Sequence, residues 1–279
     1  MKIRPPGTPA PVVNGASPAR RMVRVPAGTA TLGTDLDRVP FAWDNELPPR
    51  AVFVPEFEID VFDVTNGDYL AFVESGAYER RELWDEEGWE WRTGSRVAHP
   101  LFWERRDGAW FWRGMYESIA LPLAWPVYVT RAEACAYARW KGMRLPTEPE
   151  YHRAAFGAPD GVERSYPWGE EPPDATRGNF DFRNPDPVPV GSFPAGQSAW
   201  GIHDLVGNGW EWTATVFAGF PGFQPMASYP VYSTDFFDGK HFVLKGGSPA
   251  TAKELLRRSF RNWFRGTYPY LYATFRGAR

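Results

Sequence analysis

The sequence predicts a single loop-rich α+β domain, built from a few short helices and strands around an aromatic core. Aromatic residues make up 16% of the 279 residues, with Trp 14, Tyr 12 and Phe 20, and each supplies a large buried area. Gly 27 and Pro 28 punctuate the chain every few residues, which prevents long helices or long strands. A hydrophobic content of 43% is enough for one large core, and no composition break or internal repeat divides it.

Residues 1–21 hold Pro, Gly and charge but no apolar run of signal-peptide length, and they read as a flexible lead-in to a domain over 22–279. From Met22 to Leu32 apolar and polar residues alternate around Pro26, giving an opening strand or hairpin that Gly33 ends. Residues 51–64 repeat the two-residue period. Thr65 or Asn66 then caps a helix running to about Ser75, with Gly76 as its stop. Residues 78–128 are dense in Trp and charge without a clean period, and read as an insertion of short strands and loops. Thr130 with Glu133 forms a capping box for a second helix, on which Ala132, Cys135, Ala136 and Trp140 keep helical spacing before Gly142. Thr147 with Glu150 repeats the device, Pro149 sits in the first turn, and Tyr151, Ala154 and Ala155 face inward.

Charge and cysteine usage exclude several classes of partner. Lys+Arg 31 against Asp+Glu 34 leaves a net charge of -3, so no basic field attracts nucleic acid. A lone Cys135 makes no internal disulfide and no Cys-ligated metal site; it reads as a small buried side chain in a cytoplasmic protein. No run of about 18 apolar residues spans a membrane.

Three constellations carry chemistry. The histidines are His99, His152, His203 and His241, without the close spacing of an iron triad; they read as structural, with His152 and His203 the metal candidates. In DLVGNGWEWT, Asp204, Asn208 and Glu211 bring oxygen donors to a turn flanked by Gly207 and Gly209. That set suits either a hard cation such as calcium or hydrogen bonding of the turn itself. The tail carries Arg257, Arg258, Arg261, Arg265, Arg276 and Arg279 among Trp263, Tyr268, Tyr270 and Tyr272, a strip suited to clamping a carboxylate or to stacking on aromatic rings.

The blocks RLPTEPEYHRAA, YPWG, GSFPAGQSAWGIHDLVGNGWEWT, FVLKGGS and RRSFRNWF, in this order, resemble the sulfatase-modifying-factor family over nearly the whole chain after residue 20. The resemblance implies the formylglycine-generating-enzyme fold, a C-type-lectin-like variant with little regular structure. Formylglycine-generating members use a cysteine pair near the C-terminus. This chain ends TFRGAR, so that activity is not expected. YHRAA, GIHDLVGNGWEWT, STDFFDGKHFVLKGGS and LRRSFRNWF are more similar to the C-terminal domain of ergothioneine-type sulfoxide synthases, which join a thiol to a histidine betaine with non-heme iron and dioxygen. Their iron-binding histidines lie mostly in a DinB-like helical bundle. No such bundle is read in this sequence, so the resemblance implies Fe(II) held with a separate DinB-like subunit.

By the same resemblance the catalytic tyrosine falls in YPVYS, at Tyr229 or Tyr232. Asn262 and Trp263 match the RNW motif, and Phe264 stands where some members carry a substrate-binding carboxylate. Trp210 or Trp263 would flank the betaine, and Arg258 and Arg261 would hold substrate carboxylates. Two functions follow: the substrate-facing half of an oxidative C–S bond-forming system, or a non-catalytic ligand- or protein-binding module on the same fold.

Overall fold

Pro26 has no amide to give to a ladder, and on either side of it the chain enters two different sheets. A computed structural model describes residues 3–13, 15 and 17–279; Met1, Lys2, Asn14 and Ala16 of the lead-in lie outside the described residues. Strand β1 (Met22–Val25) pairs antiparallel with β4 (Phe57–Asp60), whereas β2 (Gly28–Leu32) pairs with β3 (Arg50–Val54). The opening segment is therefore two strands that do not form a hairpin with each other. Described lead-in residues run along the domain: the Val12 carbonyl accepts from Trp125 Nε1 at 2.7 Å and Arg20 Nε donates to Asp60 at 2.7 Å.

The capping residues fix three helices where the sequence places them. Thr65, Thr130 and Thr147 each accept from the amide three residues on, and Asp68, Glu133 and Glu150 answer to the cap amide. They open α1 (Asn66–Glu74), and two helices numbered below. Between them, residues 78–128 hold an α-helix the sequence reading lacks, α2 (Glu86–Gly94). Asp85 caps it by accepting from Gly88 N at 2.8 Å, and Glu86 and Glu87 complement the dipole of its first turn. Its tryptophans, Trp89 and Trp91, pack on the core from a half-buried helix, so no clean apolar stripe marks it. The expected short strands follow as an antiparallel sheet of β5 (Trp103–Arg106), β6 (Ala109–Arg113) and β7 (Ser118–Ala120).

The main core lies between α1, α3 (Arg131–Trp140) and a four-stranded sheet. Tyr69 and Tyr137 stack at 5.3 Å, and Phe275 meets Tyr137 edge-on at 5.4 Å. Cys135 on α3 is half-buried rather than sealed, and burial pushes its thiol pKa up. A smaller core joins Val25, Ala30, Val54 and Ile59 to Tyr151, Ala154 and Ala155 of α4 (Glu148–Phe156), which face inward as their spacing predicts.

The sheet consists of β8 (Gly209–Val216), β9 (His241–Gly247), β10 (Asn262–Arg265) and β11 (Ala273–Thr274), in the order β10-β9-β8-β11. Only β11 runs parallel to its neighbour, β8. Before β9 comes a single helical turn, α5 (Val231–Thr234). The fold matches the expected loop-rich α+β class, and no helix among the described residues is long and apolar enough to cross a membrane.

Candidate functional site

Pro230 sets the turn that becomes α5, so the YPVYS segment presents Tyr229 and Tyr232 from one short, locally fixed piece of chain. A buried polar turn, Asp44–Glu46, anchors it. Ser233 donates to Asp44, and Asn45 Nδ2 donates to Ser233 Oγ at 3.0 Å. Preceding that turn, Trp43 stacks on Tyr232 with ring centroids 4.2 Å apart. Glu46 reaches the other way, accepting from Arg257 Nε at 2.9 Å and from Ser259 Oγ at 2.6 Å. One three-residue turn thus ties the tyrosine segment to the arginine strip that precedes β10.

Between these segments lies an aromatic hollow of about 390 Å³, lined by Tyr229, Tyr232, Phe236, His241, Phe260, Asn262, Trp263 and Phe264. Five of these, Tyr229, Tyr232, Asn262, Trp263 and Phe264, are residues the sequence marks. Trp263 lies flat on Phe217 at 4.3 Å and meets the Tyr232 ring edge-on at 5.3 Å. Tyr229 is exposed at the mouth, whereas Tyr232 is half-buried. Burial, then the nearby Asp44 and Glu46 carboxylates, push the Tyr232 hydroxyl up to about 12, so it carries its proton at neutral pH.

Trp43, Phe236, His241 and Phe260 escape the sequence reading as site residues. Trp43 is almost 190 residues away from Tyr232 along the chain. His241 looks like one more isolated histidine, although its place immediately before FVLKGGS is a usable signal.

The arginine strip behaves differently from the expected clamp. Arg261 is 2% exposed; it forks onto Glu148 at 3.0 and 3.1 Å and donates to the carbonyls of Asn45 and Ala218. Arg257 is held by Glu46, and Arg258 reaches Glu163 at 3.4 Å. Neither Arg258 nor Arg261 lines the aromatic hollow, because internal carboxylates already occupy them. Trp210 is likewise a core residue on β8, tilted against Phe260 at 5.9 Å.

The DLVGNGWEWT turn is hydrogen-bonded within the protein. Asn208 Oδ1 accepts from the Val188 amide at 2.9 Å, Asp204 accepts from the Gly191 amide at 2.6 Å, and Glu211 is paired with Arg276 at 2.6 and 2.8 Å. Arg276 has no exposed surface and also meets Asp63 at 3.1 Å. Burial alone would lower its pKa, but Glu211 and Asp63 push it up. A protein guanidinium thus supplies the positive charge these acids need.

His152 and His203 do not assemble into a metal site. His152 Nε2 is 2.8 Å from the Arg258 carbonyl, and His203 lies on Phe62 at 4.9 Å. Burial lowers the pKa of both and keeps them neutral. Each leaves Nδ1 buried without a partner, a feature a ligand would share. Even so, among the described residues no three His, Cys, Asp or Glu side chains are grouped to hold a metal ion. The donor set for a non-heme iron centre, two imidazoles and a carboxylate on one face, does not fit these residues.

Comparison with known proteins gives the family of the chain. The sulfatase-modifying factor enzyme 1-like domain matches residues 9–279. Hercynine oxygenase of Mycolicibacterium thermoresistibile is 44% identical over 238 residues, which cover 83% of this chain and 52% of that protein. Ergothioneine biosynthesis protein 1 of Schizosaccharomyces pombe is 35% identical over 82% of this chain and 26% of its own length. The chain spans about half the length of the hercynine oxygenases it matches. PvdO from Pseudomonas aeruginosa shares the fold, with a TM-score of 0.63 at 24% identity over 92% of this chain and 93% of that one. With a family match over residues 9–279 and an architecture shared with PvdO, the chain belongs to the sulfatase-modifying factor enzyme 1-like family.

Proposed function

We propose that the aromatic hollow is the substrate site of an ergothioneine-pathway oxygenase, in which a thiol is joined oxidatively to the betaine of histidine. The observation that carries the reading is the convergence of Tyr229, Tyr232, Asn262 and Trp263 on one hollow, from segments 30 residues apart. Its support from likeness is the 44% identity to a hercynine oxygenase. Chemically, ring faces suit a trimethylammonium group through cation–π attraction, and the Asn262 side chain, whose oxygen accepts from the Trp263 amide, offers its NH2 donors for orientation. In this reading Tyr232, protonated up to about pH 12, gives a proton at the reacting centre. Tyr229, more exposed, is its alternative in the same segment.

The described residues do not form the donor set of an iron centre. In this reading a separate DinB-like protein provides the ligands and this chain holds the substrates. That same lack of grouped donors favours a second reading, a binding module that carries no catalysis. A tryptophan-fluorescence titration with histidine betaine and carboxylate-bearing thiols tests the substrate site directly. Saturable quenching is expected, and no response in the wild-type chain, even with a DinB-like protein present, overturns it. Where turnover is reconstituted with Fe(II), dioxygen and that protein, Tyr232→Phe should reduce it about a hundredfold while leaving betaine affinity unchanged. Binding without turnover under any such reconstitution selects the binding module.

A further inference from the structure

His241 stands out in the hollow as its one imidazole. It opens β9, directly opposite Arg265 in the register of β10, and its Nδ1 lies 2.9 Å from Asp238 Oδ1. Asp238 also accepts from the Lys240 amide at 2.8 Å, and Arg265 approaches it at 4.0 Å. Burial opposes ionisation of Asp238, but the hydrogen bonds from His241 and Lys240 pull its carboxyl down to about 2. The carboxylate therefore orients the ring, as an acid behind a histidine does in many sites. Nε2 has no protein hydrogen bond among the described residues and is not sealed in, and His241 lines the hollow. With Nδ1–H given to Asp238, the imidazolium form has a second N–H donor on Nε2, the ring nitrogen left without a protein partner.

Three arginines and a lysine near the strip are already engaged, while Arg265, beside His241 in the sheet, is mostly exposed and approaches only Asp238, at 4.0 Å. Arg257, Arg258 and Arg261 face Glu46, Glu163 and Glu148, and Lys245 Nζ is spent on the carbonyls of Arg258 and Phe260, at 2.9 Å for the first. The rest of the lining is ring faces and Asn262, which suit a quaternary ammonium ion but bring no cation of their own to its carboxylate. We propose that His241, held by Asp238, binds the carboxylate of the ligand in this hollow and makes the hollow select a carboxylate-bearing quaternary ammonium ion over the same cation without its carboxylate. The proposal rests on the substrate-site reading above and assigns to His241 the role that Arg258 and Arg261 do not fill.

The test compares two probes on the full chain by tryptophan fluorescence: the trimethyl betaine of histidine, and trimethylhistamine, which lacks only the carboxylate. Wild type should bind the betaine about tenfold or more tightly than the amine, the ratio expected of one charge-assisted hydrogen bond. His241→Gln should bring that ratio close to one while trimethylhistamine binds as before. Asp238→Asn, acting through the ring, should reduce the ratio in part and Asp238→Glu should restore it; a merely structural role would weaken both probes alike. Thermal melts of each variant confirm that the fold is kept. Equal affinity of wild type for the two probes overturns the proposal, as does an undiminished ratio in a folded His241→Gln. In both cases the substrate-site reading survives because binding persists. Failure of wild type to bind either probe overturns both.

Discussion

Arg276 brings its guanidinium into a place with no solvent, where Glu211, Asp63 and three backbone carbonyls take up its donors. An ion pair that deep is held together by complete satisfaction on both sides; removing one partner leaves bare charge in a medium of low dielectric. Arg276→Met should accordingly lower stability by about 3–5 kcal/mol, read as a drop in the urea midpoint. A loss below about 1 kcal/mol would mean that Glu211 and Asp63 are relieved some other way, by protonation for example. Arg261 with Glu148 repeats the arrangement, 2% exposed on each side, and explains why a strip so rich in arginine offers so little to a ligand. At this scale the sequence names the right residue types, but it cannot show that an arginine's carboxylate partner lies over a hundred residues earlier.

At the scale of elements, local chemistry was legible wherever a cap is written into adjacent residues. Thr65, Thr130 and Thr147 locate three helices to within a residue, because a side chain accepting from the amide three positions on is decided by neighbours in sequence. The missed helix has the same kind of cap in Asp85, but its half-buried body and two glycines at Gly88 and Gly94 hide the period. Asp85→Ala removes the acceptor for the Gly88 amide and should cost about 1 kcal/mol with an unchanged denaturant slope. No change in midpoint would show that α2 is held by Trp89 and Trp91 alone. The opposite error occurred at Met22–Leu32, where two alternating runs look like one hairpin yet pair with β4 and β3. Alternation reports a strand; it does not say which partner the strand takes.

For the whole molecule, the buried acids around Arg276 make stability depend on pH. Burial raises Asp204 from its ordinary 3.8 to about 6, despite the hydrogen bond from the Gly191 amide. Between those values the folded protein holds a proton that the unfolded chain releases, so stability contributed by this group rises as pH falls from 6 toward 3.8. Relative to Asp204→Asn, which keeps an acceptor for Gly191 but cannot titrate, wild type should gain up to about 3 kcal/mol between pH 7 and pH 4. Parallel curves for the two proteins over that range would show that Asp204 titrates normally.

The sequence by itself determined the class of the fold, its capped helices, its aromatic core and the segments that meet at the hollow, since composition, caps and short motifs are properties of neighbouring residues. Only the tertiary structure decided which charged groups stay free. Arg258, Arg261 and Arg276 find Glu163, Glu148 and Glu211, and Asp204 and Asn208 find backbone amides, so side chains that look available for a ligand or a cation in the sequence are consumed inside. Meanwhile Trp43 reaches Tyr232, and His241 enters the hollow's wall. The reason is physical: a buried charge must be paired wherever the chain can supply a partner, and pairing across the fold depends on distances in space that no local pattern encodes.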